Sequence, residues 1–248
     1  MAQKQEKPAS GRVVSPQTLS SLIDEGLFSM YKVIEAVGLG TAFKRNTWNL
    51  STGALKEILK GVYSLKVNGR ENVPASGAAI TCVKSSTGAY PILACVAVAE
   101  SRNRILHQAF DIEFFKILGL RSVLNWLDSI EVADGKLSGP EKDRIKKYVA
   151  ENELIGLSIE NARQAGDVEA EETVPAIDTI EVARDLGVPI IPIHISNADG
   201  VVDPKARKIS LNKNITITIH PPYTKHLDKN SSVKDCLGEL GTMIAPKE

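Results

Sequence analysis

Apolar residues near the start of the chain recur at three- and four-residue spacing, which is the period of a helix with one buried side. They are Leu19, Ile23, Leu27, Met30, Ile34 and Val37. Ser15 stands at the position of a helix cap with Pro16 in the first turn, and Gly38 and Gly40 follow the last apolar position. The pattern therefore predicts a helix that begins at about Pro16 and ends near Gly38.

Two further segments complete the N-terminal region. Residues 1–15 are rich in Lys, Gln, Ser and Pro and have no apolar period, so they are predicted to be a disordered tail. A second helix is predicted over residues 52–61. We therefore divide the chain into the tail, an N-terminal helical segment over 16–61, and a main domain over 62–248.

The main domain alternates between short apolar runs and helical patterns. The runs that predict strands are 63–67, 78–83, 105–110, 129–132, 154–159, 188–195, 207–211 and 214–219. The segments that predict helices are 91–100, 112–118, 140–151, 175–186 and 231–244. This alternation predicts an α/β fold with a mixed, largely parallel sheet that is covered by helices on both faces.

Two turns are predicted from residue types that favour them. Asn68-Gly69 follows the first strand of the main domain. The segment Asn212–Asn214 separates two apolar runs, 207–211 and the strictly alternating 214–219. We expect these last two runs to pair with each other as a hairpin.

The charge balance argues against a nucleic-acid partner. Lys+Arg and Asp+Glu are both 30, and aromatic residues make up only 5% of the chain. Nucleic-acid binders carry a basic footprint, and binders of single strands add aromatic stacking platforms. No nucleic acid is therefore expected as a partner.

The cysteines and the hydropathy of the chain indicate the cellular compartment in which the protein works. Cys82, Cys95 and Cys236 are an odd and widely spaced set, which argues against disulfides and a zinc site. Cys82 and Cys95 lie in apolar runs, which predicts buried thiols. No run reaches the roughly 18 apolar residues of a membrane span, and the polar first residues do not resemble a signal peptide. We expect no metal and a cytoplasmic protein, and peripheral contact with the inner membrane face stays open as an alternative.

From residue 65 onward, the order of elements resembles the glycerolipid acyltransferase family, which includes lysophosphatidic acid acyltransferase. The stretches that carry the resemblance are Leu65–Pro74, Ala78–Val83 with Tyr90–Leu93, Phe110–Gly119 and Gly187–Ile193. They span most of residues 65–222. The resemblance implies the family's α/β fold and an enzyme of phospholipid metabolism without a cofactor. It also implies acyl transfer from acyl-CoA or acyl carrier protein to the hydroxyl of a lysophospholipid.

The positions of the family's catalytic pair hold other residues. The family places Asn-His-x4-Asp after the strand at 78–83, and the imidazole takes the proton of the substrate hydroxyl. In this chain Lys84 stands at the asparagine, Ser85 at the histidine and Tyr90 at the aspartate. Serine is no general base on its own, and a tyrosine with its reference pKa near ~10 carries no negative charge. We expect the family's proton transfer to be lost or altered.

The family's phosphate-binding blocks also differ. Asp134 stands where the family has an arginine, and a carboxylate there would repel a phosphate. Glu160 and Arg163 remain from the third block, whereas its glycine and threonine are absent. Arg163 could hold a phosphate or a carboxylate through two hydrogen bonds; the alternative is a structural ion pair with Glu160.

Two further candidates have a structural alternative. The stretch Lys84–Gly88, which includes Ser85 and Thr87, would suit an anion bound by backbone N–H groups, but a helix cap is the preferred interpretation. His194 ends the strongest predicted strand, where ligands bind in α/β sheets. As an isolated histidine it is more often structural than catalytic.

Three functional hypotheses follow. The first is an acyltransferase-family protein with lost or altered catalysis. The second is a non-catalytic protein that binds a lipid or a partner on the same scaffold. The third is a different enzyme that uses His194 or Ser85. The candidate binding residues common to them are Lys84, Ser85, Thr87, Tyr90, Glu160, Arg163 and His194.

Overall fold

The structure is a computed structural model. It describes residues 30, 32–34, 36–102, 104–117, 120–159, 177–203, 208–210 and 214–245. The predicted tail, most of the predicted first helix, and the loop that contains Glu160 and Arg163 lie outside these residues. The predicted division of the chain at residue 62 stays a prediction.

A single eight-stranded sheet runs through the described part of the chain, in the order β1-β10-β7-β2-β6-β3-β4-β5. Its strands are β1 Ser64–Asn68, β2 Ala79–Val83, β3 Leu106–Asp111, β4 Ile130–Ala133, β5 Lys136–Leu137, β6 Leu154–Ser158, β7 Ile190–Ser196 and β10 Asn214–Ile219. Neighbouring strands are parallel except in the pairs β10–β7 and β4–β5. The predicted mixed, largely parallel sheet is confirmed.

Helices cover both sides of this sheet. They are α1 Gly40–Val62, α2 Tyr90–Ser101, α3 Ile112–Phe115, α4 Leu120–Trp126, α5 Gly139–Ala150, α6 Ile177–Leu186 and α7 Val233–Ile244. Residues of α1 to α4 share one apolar core with one side of the sheet, which we call the α2 face. Residues of α5, α6 and α7 form a second core on the other side, which we call the α7 face.

The central strand β2 is buried on both faces, as its unbroken apolar run predicts. Its side chains alternate, so Ala79 and Val83 pack into the α2 face while Ile80 and Cys82 pack into the α7 face. Complete burial of a side chain such as Ile80 contributes about 1.5–3 kcal/mol. Burial also raises the pKa of the Cys82 and Cys95 thiols, so both cysteines are unreactive core residues.

Three local sequence signals form the caps and turns that their residue types favour. Ser138 caps α5, since its hydroxyl oxygen accepts a hydrogen bond from the backbone N–H of Glu141 at 3.3 Å. Gly187 follows α6 with a φ of 66°. Gly69 forms the predicted turn with a φ of 72°, and a Cβ there would lie 2.0 Å from the carbonyl oxygen of Ile219. Only glycine fits both constraints.

The helix predicted over 52–61 is wrong at its start, because α1 already begins at Gly40. The residues at 51–53, Ser-Thr-Gly, favour turns in isolation. In the fold, Trp48 is buried and its carbonyl oxygen accepts a hydrogen bond from the Thr52 hydroxyl at 2.6 Å. Tertiary packing therefore extends the helix through residues of low helix propensity.

A buried carboxylate attaches α1 to the rest of the domain. The side chain of Glu100 on α2 is only 4% exposed. It pairs with Lys56 of α1 at 3.0 Å, Lys60 of α1 at 3.5 Å and Arg70 at 3.0 Å. Hydrogen bonding from Lys56 and the charge of Arg70 lower the pKa of Glu100, even though burial, the largest single effect, acts to raise it.

The predicted hairpin of the last two strands is wrong. Strand β9, Lys208–Ile209, pairs instead with β8, Val202–Asp203, in a separate antiparallel sheet. Strand β10 lies between β1 and β7 in the main sheet. The alternation in 214–219 correctly indicated which side chains are buried, but alternation does not specify the partner strand. Helix α4, which follows α3, was not predicted.

A close approach between β3 and β6 gives a stability test. Gln108 faces Gly156 in the sheet, and a Cβ on Gly156 would lie 2.0 Å from the Gln108 side-chain oxygen. That oxygen is buried and has no hydrogen-bond partner among the described residues. We expect Gly156→Ala to lower the free energy of unfolding by about 2–3 kcal/mol, because the side chain is forced into a packed core.

The matched experiment repeats Gly156→Ala in a Gln108→Ala background and measures urea unfolding of all four proteins. With the glutamine removed, the cost of the added methyl group should fall below about 1 kcal/mol. An equal cost in both backgrounds would contradict the contact.

Candidate functional site

The C-terminal ends of the parallel strands β2, β3, β6 and β7 meet at one edge of the sheet, where α/β folds bind ligands. The buried run of β2 ends at Val83. A loop over 84–89 then leads into α2, which begins at Tyr90 with Pro91 in its first turn. The loop packs toward the α2 face, since Ala89 and Tyr90 belong to that core.

Ser85 and Thr87 are bound to each other within this loop. Their hydroxyl oxygens lie 2.8 Å apart, and the Thr87 backbone N–H donates to the Ser85 hydroxyl oxygen at 3.0 Å. Ser85 is 2% exposed. The loop is tied to β3, because the backbone N–H of Asp111 donates to the carbonyl oxygen of Ser86. The expected helix cap is wrong: the N-cap of α2 is Ala89, which makes no side-chain hydrogen bond.

Lys84 and Tyr90 converge on a residue that sequence reasoning missed. The Lys84 ammonium lies 3.2 and 3.0 Å from the two carboxylate oxygens of Asp199. The Tyr90 hydroxyl donates to Asp199 Oδ1 at 2.9 Å. We call this group the Lys84–Tyr90–Asp199 cluster. Its one sequence signal is the polar stretch that directly follows β7, at the same sheet edge as the 84–89 loop.

The electrostatics of the cluster follow from burial and from this pairing. Burial, with the neighbouring Asp199 charge, raises the pKa of Tyr90 to about 12, so its hydroxyl stays protonated. For Lys84, burial acts to lower the pKa, but hydrogen bonds with Asp199 and Tyr90 outweigh it and the pKa is raised. At neutral pH the cluster therefore consists of one cation, one neutral donor and one carboxylate.

The structure does not bring His194 to this loop. The His194 Nδ1 atom lies 2.8 Å from the carbonyl oxygen of Ile244 at the end of α7, on the α7 face. His107 stacks on Tyr148 of α5 with ring centroids 3.8 Å apart.

The other two of the chain's four histidines also lie on the α7 face. The His226 Nε2 atom lies 2.9 Å from the carbonyl oxygen of Val188. Burial and the neighbouring His194 lower the pKa of His220, which also contacts the backbone of Met243 in α7. All four imidazoles therefore pack on the opposite side of the sheet from the 84–89 loop.

The remaining predicted site residues divide into two groups. Glu160 and Arg163 lie outside the described residues. Asp134 lies in the tight turn between β4 and β5, where Asp134 and Gly135 have φ angles of 52° and 70°. Asp-Gly with two positive φ angles is typical of a hairpin turn, which explains this residue without a ligand.

A small pocket of about 190 Å³ lies between α1 and α2, apart from the 84–89 loop. Its lining residues are Asn49, Thr52, Gly53, Lys56, Val96, Ala99 and Glu100. Within the described ranges, no three His, Cys, Asp or Glu side chains form a group that could hold a metal ion. Of the helices described, none has the length and apolar character needed to cross a bilayer.

The fold is similar to that of a solved enzyme, the 1-acyl-sn-glycerophosphate (LPA) acyltransferase PlsC from Thermotoga maritima. The match has a TM-score of 0.61 at 15% identity and covers 91% of this chain and 94% of that chain. No family model matches the sequence. No curated protein matches it either. The chain thus has an acyltransferase-like fold, as the resemblance in its sequence implied.

The lowered pKa of His107 provides a test of the burial of its imidazole. Burial lowers the pKa of His107 from 6.5 to about 4. Below pH ~6.5, the His107 imidazole binds a proton in the unfolded chain but stays neutral in the folded protein. The free energy of unfolding should therefore fall by about 3 kcal/mol as the pH drops from ~6.5 to ~4.

The matched variant is His107→Phe, which keeps a ring against Tyr148 but cannot titrate. The difference in unfolding free energy between the two proteins, measured by urea titration at several pH values, should change across this window. A difference that is constant with pH would contradict the burial of a neutral imidazole.

Proposed function

We propose that this chain is a lipid-binding protein on an acyltransferase-like scaffold and that it lacks histidine-dependent acyl transfer. The observation that carries the proposal is the location of its four histidines on the α7 face, away from the 84–89 loop. In the family that the sequence resembles, an imidazole in the corresponding loop removes the proton of the acceptor hydroxyl.

No residue of the described loop replaces the missing base. The Ser85 hydroxyl is buried and bound to Thr87. Tyr90 is protonated at neutral pH because its pKa is about 12. The Asp199 carboxylate is paired with Lys84 and accepts hydrogen bonds from both Lys84 and Tyr90.

Two features support binding of a lipid. The chain follows the fold of PlsC over nearly its whole length, and the name of that protein describes an enzyme acting on an acyl glycerophosphate. Lys84 and Tyr90 present a cation and a hydroxyl donor at the carboxyl edge of the parallel strands. Both groups suit the phosphate of such a lipid. The retained Arg163 is a further candidate for this role.

The proposal predicts binding without turnover. Purified protein should bind a lysophosphatidic acid in native mass spectrometry with saturable one-to-one stoichiometry. Acyl transfer from acyl-CoA to the same lipid should stay at the protein-free background, because a positioned general base contributes about 10²–10⁴-fold to the rate.

Two variants serve as controls for the transfer assay. Ser85→Ala and Glu160→Ala should leave the background rate unchanged. Turnover by the unmodified protein that Glu160→Ala abolishes would contradict the loss of catalysis, and the absence of any lipid adduct would contradict the binding function.

A further inference from the structure

The 84–89 loop and the segment after β7 meet through side chains of opposite charge. Asp199 receives hydrogen bonds from both Lys84 and Tyr90 at 2.9 to 3.2 Å. The two donors come from the start and the end of one loop, yet they aim at a single carboxylate. They are therefore already arranged around an oxyanion of that size.

The carboxylate itself is more exposed to solvent than its two donors. The Asp199 side chain is 72% exposed and that of Lys84 is 32% exposed, whereas Tyr90 is 5% exposed. The backbone around Asp199 is anchored by Ala198 and Val201, each 1% exposed. The exposed carboxylate therefore lies on the solvent side of the two donors.

We propose that Lys84 and Tyr90 form a binding site for a phosphate group and that the carboxylate of Asp199 competes with the ligand for the same two donors. The inference rests on the proposed function for the identity of the lipid. The site itself requires only a phosphate, whether it belongs to a lipid headgroup or is free in solution.

The surroundings of the two donors favour an anion. Tyr90 is the first residue of α2, a helix of 12 residues whose N-cap, Ala89, makes no side-chain hydrogen bond. The positive end of the helix dipole therefore adds to the charge of Lys84. Because Tyr90 keeps its proton at neutral pH, it donates to the incoming anion rather than repelling it.

Asp199→Asn tests the competition. The amide removes the negative charge and keeps an oxygen that can accept a hydrogen bond. Binding of octanoyl lysophosphatidic acid, measured by calorimetry below its micelle concentration, should become about three- to tenfold tighter, since an exposed ion pair no longer has to be broken and a like charge is gone. The gain should shrink as salt is added.

Lys84→Met tests the donor and should weaken the same binding by about three- to tenfold. The charge-matched controls lie on α5, on the opposite face, where Asp143 and Lys146 form an exposed pair. Asp143→Asn and Lys146→Met change the net charge equally and should leave binding unchanged. Circular dichroism of each variant checks that the fold is intact.

Two further probes separate the possible outcomes. They are octanoylglycerol, which lacks the phosphate, and inorganic phosphate. If Asp199→Asn binds lysophosphatidic acid no tighter than Asp143→Asn does, or Lys84→Met no weaker than Lys146→Met, the phosphate site is overturned. If all variants bind both lipids equally well, lipid binding stands without this site.

If Asp199→Asn tightens inorganic phosphate alone and no lipid binds, the site stands and the proposed lipid function fails. If no protein binds any of the three probes, both are overturned.

Discussion

β2 has almost no contact with solvent, since all five residues from Ala79 to Val83 are buried between β7 and β6. A strand in that position can leave no backbone group unpaired and can carry no charged side chain on either face. The two apolar cores therefore meet at β2. The chain returns to a charged residue only where β2 ends, so the 84–89 loop begins at Lys84 and lies at the carboxyl edge of the sheet.

The same sheet separates the 84–89 loop from the histidines, which lie on the opposite face. Side chains of one strand alternate between faces, and α/β folds of this kind cover both faces with helices. His194 on β7 and the 84–89 loop after β2 are close along the sheet order but point into different cores. Proximity at the strand ends therefore does not bring the His194 imidazole to the 84–89 loop, because the two lie on opposite faces of the sheet.

At the loop itself, an ion-paired cluster occupies the positions where the resemblance implies a proton-transfer pair. Lys84 and Tyr90 are both protonated at neutral pH, and each donates a hydrogen bond to Asp199. Donors of this kind bind anions and do not remove protons. This difference in protonation supports the proposed binding function, in which the carboxylate of Asp199 competes with the ligand for the two donors.

Much of the architecture was predictable from the sequence because its signals are local. Apolar runs and alternation predicted the buried strands, Ser138 and Gly187 marked helix ends, and the ordered stretches from Leu65 to Ile193 indicated the fold. The absence of a histidine and an aspartate at the expected positions was also readable from residue types alone. The early start of α1 was not predictable, because burial of Trp48 outweighs the turn-forming residues that follow it.

Other features depended on contacts between distant parts of the chain. The sequence by itself determined the α/β class, the buried strands and the presence of Ser85 where the resemblance implies a histidine. Only the tertiary structure decided that β10 pairs with β1 and β7, that His194 faces away from Ser85, and that Asp199 joins Lys84 and Tyr90. Periodicity specifies which side of a strand is buried. The strand that pairs with it depends on the packing of the whole sheet, and so does the contact of Asp199 with Lys84 and Tyr90, which lie more than a hundred positions earlier in the chain.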